Sequence, residues 1–287
     1  MKPPPFSYTK AESMAQALTV LAERGDDCKI LAGGQSLVPM MNLRLTYPQH
    51  LLDINGLTML DYVTAEDGQL KVGGLTRHST LKNSALVAEH CPLMTEAYGY
   101  VAHKPVRNRG TIGGNLSHAD PSSEMSAVAL AAGAVMVARS TGGERQIEAA
   151  DFFLGTLETA LAPDELLVEI RYPAWPGGRG WSFLEVSPRK GDFAIVGVAA
   201  CLGLKDGACE TVRLAYCGVG DRARRIGEAE QAVEGGKPDQ ALFAKAGEIA
   251  GRAIDPQGDY HADPEYRRDL ATTLTRRALI AAHSRIA

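Results

Sequence analysis

The sequence has no apolar run near the roughly 20 residues that a membrane-spanning helix requires. An integral membrane helix is therefore not expected. No polybasic run occurs, and 30 lysines and arginines against 34 acidic residues leave a net charge of -4 with a pI near 6.0. Neither nucleic acid nor an anionic lipid surface is indicated by that balance. The opening MKPPPFSY has no apolar core of the kind a secretory signal carries, so a cytoplasmic location is the default. There is no heptad seam and no low-complexity tract. Of the five cysteines, none stands in a Cys-x-x-Cys pair, which removes a zinc ribbon and an iron–sulfur ligand run. Cys201, Cys209 and Cys217 recur every eight residues and would share a face of one strand, but Lys205, Asp206 and Gly207 interrupt it. They are read as small core residues in a reducing compartment.

What is present fits a globular α/β chain of two packed domains: 287 residues, 45% hydrophobic and 22% charged. Ser13 is placed to cap a helix over MAQALTVLAER, with Met14, Leu18 and Leu21 on one face and Gly25 as its stop. CKILAGG reads as a buried strand entering a turn, and HLLDI and QLKVGGL as further strands. STLKNSALVAEH and CPLMTEAYGYVAHK look helical. MSAVALAAGAVMVAR is expected to pass from helix to strand, with a hairpin at STGGE and a strand at ELLVEIRYP. The Pro/Gly-rich PAWPGGRG marks a domain joint. Beyond it come strand-like runs suited to a small antiparallel sheet, and from Glu228 a helical region in which Leu270, Leu274, Ala278 and Ala281 keep helical steps.

Two paired-glycine stretches carry the chemistry, AGGQSLVPMM at 32–41 and RGTIGGNLSHADPSSE at 109–124. The second pair, Gly113 and Gly114, lies in a run that otherwise favours a strand. Glycine permits positive φ and close backbone approach, and consecutive exposed amides form a donor cradle for phosphate oxygens. Gln35 and Ser36 add donors to one turn, Thr111 and Asn115 to the other. Two such turns could hold one pyrophosphate from both sides, which suits a dinucleotide; two ordinary tight turns remain the alternative.

Other patterns compete less well. CGVGDRA offers Gly218, Gly220 and Ala223 as a nicotinamide fingerprint, but no returning strand follows and Glu234 is too near the turn to serve the ribose. His118 and Asp120 lack a visible third metal ligand and are read as ordering their loop. Ser122 and Ser123 have no nucleophile-elbow context. Arg107 and Arg109 either favour a phosphate or pair with surface acids. PRKGDFA, with Arg189, Lys190 and Asp192, is either a mobile turn beside a ligand or a hairpin corner.

LAGGQSLVPMMNLRL together with VRNRGTIGGNLSHADPSSEM resembles the FAD-binding medium subunit of the molybdenum hydroxylases, a family that includes carbon monoxide dehydrogenase, quinoline oxidoreductase and the flavin domain of xanthine dehydrogenase. The resemblance runs from PPFSYTKAESMAQAL through RKGDFAIVGVA to EYRRDLATTLTRRAL. It implies an α+β chain: a two-lobed FAD domain of the vanillyl-alcohol-oxidase type at 1–176, its lobes meeting near residue 55, then a three-stranded antiparallel sheet with a helical bundle at 177–287. The backbone of Ala32, Gly33, Gly34, Gln35, Ser36 and Leu37 would bind the pyrophosphate from one lobe, and Gly110, Thr111, Ile112, Gly113, Gly114 and Asn115 from the other. Glu124 stands where the family has an acid that hydrogen-bonds the flavin. Leu167 would pack near the adenine or the ring system, and Phe193 would lie on the loop approaching the isoalloxazine. No side chain here would be an acid–base catalyst.

The resemblance further implies FAD in this chain, and partner subunits that carry a molybdenum pterin and two [2Fe–2S] clusters. The large partner would hydroxylate the substrate and the small one would bring electrons to FAD. A dimer of heterotrimers follows from the same resemblance, with loose attachment to the inner face of the membrane through the complex left open. SHADPSSEM and PRKGD lean toward an N-heteroaromatic substrate. The alternatives are a carbon monoxide dehydrogenase medium subunit, a free-standing FAD oxidoreductase, a Gly218-based nicotinamide enzyme, and an assembly factor that has lost FAD.

Overall fold

The computed structural model describes residues 2–175 and 177–286; Pro176, where the expected first domain ends, lies outside them. The first lobe comprises β1 (Ser7–Lys10), α1 (Met14–Arg24), β2 (Cys28–Leu31), α2 (Leu37–Asn42) and β3 (His50–Asp53). Its strands are parallel in the order β1-β3-β2. Helix α1 starts because the Ser13 side chain accepts a hydrogen bond from the Gln16 amide at 3.2 Å, and stops at Gly25, whose φ is 50°. Its Ala17, Leu18 and Leu21 are buried with Leu52 and Ile54. The glycine stretch at 32–36 thus leaves the carboxyl end of a parallel strand, the edge where open α/β sheets place ligands.

The second lobe holds β4 (Val63–Glu66), β5 (Gln69–Gly73), α3 (His78–Lys82), α4 (Ala85–His90), α5 (Pro92–Ala97), α6 (Lys104–Arg109), α7 (Ile112–His118), α8 (Glu124–Ala132), β6 (Val135–Ser140), β7 (Gly143–Glu148), α9 (Ala149–Phe152), a small hairpin of β8 (Phe153–Gly155) and β9 (Glu158–Thr159), and β10 (Leu166–Tyr172). Its antiparallel sheet runs β4-β5-β10-β6-β7. Two expectations shift here. STLKNSALVAEH forms two helices, because the chain breaks at Asn83 and Ser84 recaps it by accepting from the Val87 amide at 3.3 Å. The helix expected over CPLMTEAYGYVAHK ends at Ala97. Helix α8 is buried on every side, and Gly133, with φ 69°, turns the chain from it into β6.

Beyond the joint come β11 (Arg179–Val186), β12 (Val196–Lys205), β13 (Ala208–Cys217), β14 (Arg224–Arg225), α10 (Gly227–Val233), α11 (Gln240–Ala253) and α12 (Pro264–His283). The sheet is antiparallel in the order β11-β12-β13-β14, so the expected three strands gain a fourth of two residues. That short strand is pinned by Glu230, which accepts from the Leu214 amide at 2.8 Å and pairs with Arg225 at 2.7 Å. Alternation along β12 splits the core. Val198, Ala200 and Leu202 face α11 and α12, whereas Ala199 and Cys201 face the core that contains α8. Cys201 and Cys217 lie on the α8 side and Cys209 on the helical side, all buried. Among the described residues no His/Cys/Asp/Glu group could hold a metal, and no helix is long and apolar enough to cross a membrane.

Candidate functional site

The amides of Gly33, Gly34, Gln35 and Ser36 donate to no group of the chain among the described residues. They follow β2 into the first turn of α2, where the Gln35 side chain donates to the Gly33 carbonyl at 3.0 Å and holds the loop's shape. Gly34 has φ 69°, a left-handed value that turns successive N–H groups to one side. Gly33, Gly34 and Gln35 line a cleft of about 400 Å³ with Ala32, Val38, Pro39, Asp53, Asn55 and Arg109. A row of unsatisfied backbone donors in a concave wall is chemistry for phosphate oxygens. Leu37 opens α2 behind this row.

The second glycine stretch is not strand-like. Thr111 caps helix α7, its Oγ1 accepting from the Gly114 amide at 3.1 Å, and Gly113 and Gly114 lie within the helix. The Ile112 and Gly113 amides donate to Thr76 O and Gly74 O, each at 3.0 Å. These three N–H groups are therefore not spare donors, which narrows the backbone cradle to the first turn. The glycines serve close packing instead: a Cβ on Gly113 would lie 2.5 Å from Gly74 O. Asn115 keeps its role open, because its Oδ1 accepts from Ser123 Oγ at 2.9 Å and its amide NH2 is left to donate. Removal of the cap by Thr111→Val should cost about 1 kcal/mol of stability in a urea titration of the FAD-free chain, with Thr111→Ser near wild type. Equal midpoints for Thr111→Val and wild type would count against the cap.

The two turns meet. A Cβ on Gly33 would fall 2.4 Å from Arg109 O and 2.7 Å from the Gly110 Cα, and Gly114 approaches Ala32. Leu167 belongs to the same junction: its carbonyl lies where a Cβ on Gly74 would stand, at 2.4 Å, and Gly74 in turn backs Gly113. Leu167 itself is buried in β10.

Glu124 begins α8 at the far end of this segment. It is 7% exposed, and burial, with the nearby Asp120 carboxylate adding to it, pushes its carboxyl up to about 7. Glu185 on β11 behaves alike. Burial first and the Glu124 charge second push it up to about 8, and both its carboxyl oxygens are buried without a partner among the described residues. Two acids held protonated by burial thus stand near enough for the Glu124 charge to act on Glu185, one at the start of α8 and one on β11. Phe193 is 68% exposed on the turn between β11 and β12. That turn is a hairpin corner, with Gly191 at φ 91° packed on His103 and an Arg189–Asp192 ion pair at 2.9 Å. Its exit is held from α12, since Arg267 donates to the Ile195 and Gly218 carbonyls.

The rival patterns resolve structurally. Gly218, with φ 75°, is required because a Cβ there would meet Ile195 O at 2.3 Å, and the chain returns as antiparallel β14, so no βαβ unit encloses it. Asp120 orders its loop by accepting from the Ser122 amide at 2.8 Å. Sequence reasoning missed Gly74, Asn55 and Arg77. The Gly73–Gly74 pair at the end of the β-forming run QLKV was a signal of close backbone approach. Asn55 and Arg77, taken singly, gave none.

A family model described as "FAD binding domain in molybdopterin dehydrogenase" matches residues 4–175, and one described as "CO dehydrogenase flavoprotein C-terminal domain" matches 181–282. The chain is 41% identical to caffeine dehydrogenase subunit beta of Pseudomonas sp. (strain CBB1), over 100% of this chain and 97% of that one. It is 39% identical to the 6-hydroxypseudooxynicotine dehydrogenase complex subunit alpha of Paenarthrobacter nicotinovorans, over 98% and 96%. Among solved structures it is similar to carbon monoxide dehydrogenase from Hydrogenophaga pseudoflava lacking the Mo-pyranopterin moiety, with a TM-score of 0.98, 36% identity and full coverage of both chains.

Proposed function

Since this chain belongs to the FAD-binding medium subunits of the molybdenum hydroxylases, matched over both of its family domains, we propose that the junction of its two glycine turns is the FAD diphosphate site of a complex that hydroxylates an N-heteroaromatic compound. The chain is the electron-transfer flavoprotein subunit of a molybdenum-dependent oxidoreductase, whose large and small partners carry the molybdenum pterin and the [2Fe–2S] clusters. When bound, FAD supplies the redox relay between those clusters and an external acceptor. The protein's part is binding and orientation. The amides of Gly33, Gly34, Gln35 and Ser36 hold phosphate oxygens, Asn115 adds side-chain donors, and Arg109 brings positive charge to the cleft. Glu124 keeps a proton on its carboxyl to about pH 7 and so presents either an O–H donor or an acceptor toward the flavin ring. In this reading Phe193, exposed on its hairpin corner, covers the ring from the C-terminal domain; its exposure supports that role. Residues 1–176 form the FAD domain and 177–287 the C-terminal domain in this reading, and the complex is a dimer of heterotrimers in the cytoplasm.

The observation that carries the site is the seating of Gly33 on Arg109 and Gly110, which joins both turns around one row of free amides. The N-heteroaromatic assignment rests on the identity to chains named for caffeine and 6-hydroxypseudooxynicotine dehydrogenases. Purification of the native complex should give FAD, molybdenum and iron together, and dye reduction with quinoline- or purine-type substrates but not with carbon monoxide. An active preparation containing this chain alone would overturn the complex, and carbon monoxide turnover would overturn the substrate class.

A further inference from the structure

We infer that Arg77 and Asn55 are positioning residues for the cofactor diphosphate, forming a clasp that fixes the gap between the two glycine turns; the inference rests on the FAD reading above. The Arg77 guanidinium bridges the lobes. Its Nη1 donates to the Arg109 carbonyl, immediately before Gly110, and its Nη2 donates to Asn55 Oδ1 at 2.7 Å. Asn55 then donates through Nδ2 to the Ala32 carbonyl at 2.8 Å, immediately before Gly33. The path thus runs from the residue before one glycine of the contact to the residue before the other. Each end is braced. Arg77 forms an isolated antiparallel bridge with Thr111, so its backbone is tied to the second turn. Asn55 is held by Asp53 Oδ1, which accepts from its amide at 2.8 Å and its Nδ2 at 2.7 Å, while Asp53 Oδ2 accepts from Tyr8 at 2.7 Å.

This arrangement does what the glycine contact alone cannot. Gly33 against Gly110 sets how closely the turns approach but gives no attraction to hold them there. A planar guanidinium meets two acceptors at once in a fixed geometry, which an ammonium on a flexible stem does not reproduce. Asn55 lines the same cleft as the free amides, so the clasp also forms part of its wall. Because Ala32 O is held, the peptide plane that follows, bearing the free Gly33 amide, is fixed in orientation before any ligand arrives, and the Arg109 carbonyl on which Gly33 seats is held by the same clasp. Preorganised donors of that kind bind more tightly than donors that must be ordered on binding.

The test compares full-length wild type with Arg77→Lys, Asn55→Ser and the double variant, each purified with its partner subunits. FAD affinity is measured by flavin fluorescence on re-adding FAD after its removal, alongside the visible circular dichroism of the bound flavin and the urea midpoint of the FAD-free protein. Each single variant should bind FAD about 10- to 100-fold more weakly. The flavin dichroism should change, and the FAD-free midpoint should fall by clearly less than the loss of FAD affinity. The double variant should be no weaker than the weaker single, because both substitutions open one clasp. Wild-type affinity in both singles, or losses that multiply in the double variant, would overturn the clasp. So would losses of affinity matched by equal falls in the FAD-free midpoint, since those mark a general structural role. If Arg77→Lys does not fold, Asn55→Ser alone decides by the same criteria. Failure of the wild type itself to bind FAD would overturn the functional reading and not the clasp specifically.

Discussion

Alanine at Gly33 should strip the protein of most of its FAD. The added Cβ would lie 2.4 Å from the Arg109 carbonyl oxygen, 2.7 Å from the Gly110 Cα and 3.0 Å from the Arg109 carbonyl carbon. All three atoms are backbone, so no side chain can swing aside; one turn must move. Overpacking of this sort costs roughly 1–3 kcal/mol. The movement falls on the contact between the two turns, next to the Gly33 to Ser36 amides that have no acceptor among the described residues. If these amides hold the diphosphate as proposed, the displaced donors meet it in the wrong register, and the expected loss of FAD affinity is about 10- to 100-fold. Gly227→Ala is the matched control, since nothing lies within 4 Å of its Cβ position and its φ is not left-handed. The measurement is FAD per chain after desalting, read from flavin absorbance, together with the dissociation constant. Gly33→Ala protein that retains FAD as tightly as the Gly227→Ala control would refute a shared cradle.

The second large effect concerns pH. Glu124 is pushed up from an ordinary value near 4.5 to about 7, first by burial. The folded chain therefore holds this proton more tightly than the unfolded chain. Below about pH 4.5 both forms are protonated and the acid costs nothing. As pH rises from there, only the unfolded chain ionises freely, and folding loses about 1.4 kcal/mol per pH unit until the folded group also titrates near pH 7. The accumulated loss is about 3 kcal/mol at pH 8. Glutamine mimics the protonated form, so Glu124→Gln in the FAD-free chain should match wild type in urea at pH 4.5 and exceed it by about 2–3 kcal/mol at pH 8. Glu185, pushed up to about 8 with Glu124 as a contributing charge, extends the window by a unit, and Glu124→Gln should lower it. Variant and wild-type stabilities that run parallel from pH 4.5 to pH 8 would exclude a buried, proton-holding Glu124. Of the two acids, Glu185 has both carboxyl oxygens buried without a hydrogen-bond partner among the described residues, which makes it the costlier one to ionise.

The local elements were legible where a local rule decides them. Helix α1 could be read because a serine cap, an apolar stripe and a terminal glycine agree over eleven residues. The strands around HLLDI, QLKVGGL and ELLVEIRYP, and the hairpin at STGGE, followed from composition and turn chemistry. The unusual residues of the site were legible as well, because paired glycines beside amide and hydroxyl side chains serve few purposes. Helix α7 was not. It has seven residues, and its two glycines each oppose helix by about 1 kcal/mol, so local preference points elsewhere. The helix forms because Thr111 caps it and because Gly74, nearly forty positions earlier, presents a backbone that only glycine can approach.

By itself, then, the sequence determined which residues lack side chains and which carry donors, and with that the kind of ligand the chain is built to hold; those properties belong to single residues and their immediate neighbours. Tertiary structure alone decided that the first turn keeps its amides free while the second spends its own on Thr76, Gly74 and Thr111. It also decided that Arg77 and Asn55, 22 residues apart, close one clasp between the turns, and that Glu124 and Glu185 share a buried junction. Hydrogen-bond partners and desolvation are properties of packed surfaces, and those surfaces exist only after segments distant in the chain have come together.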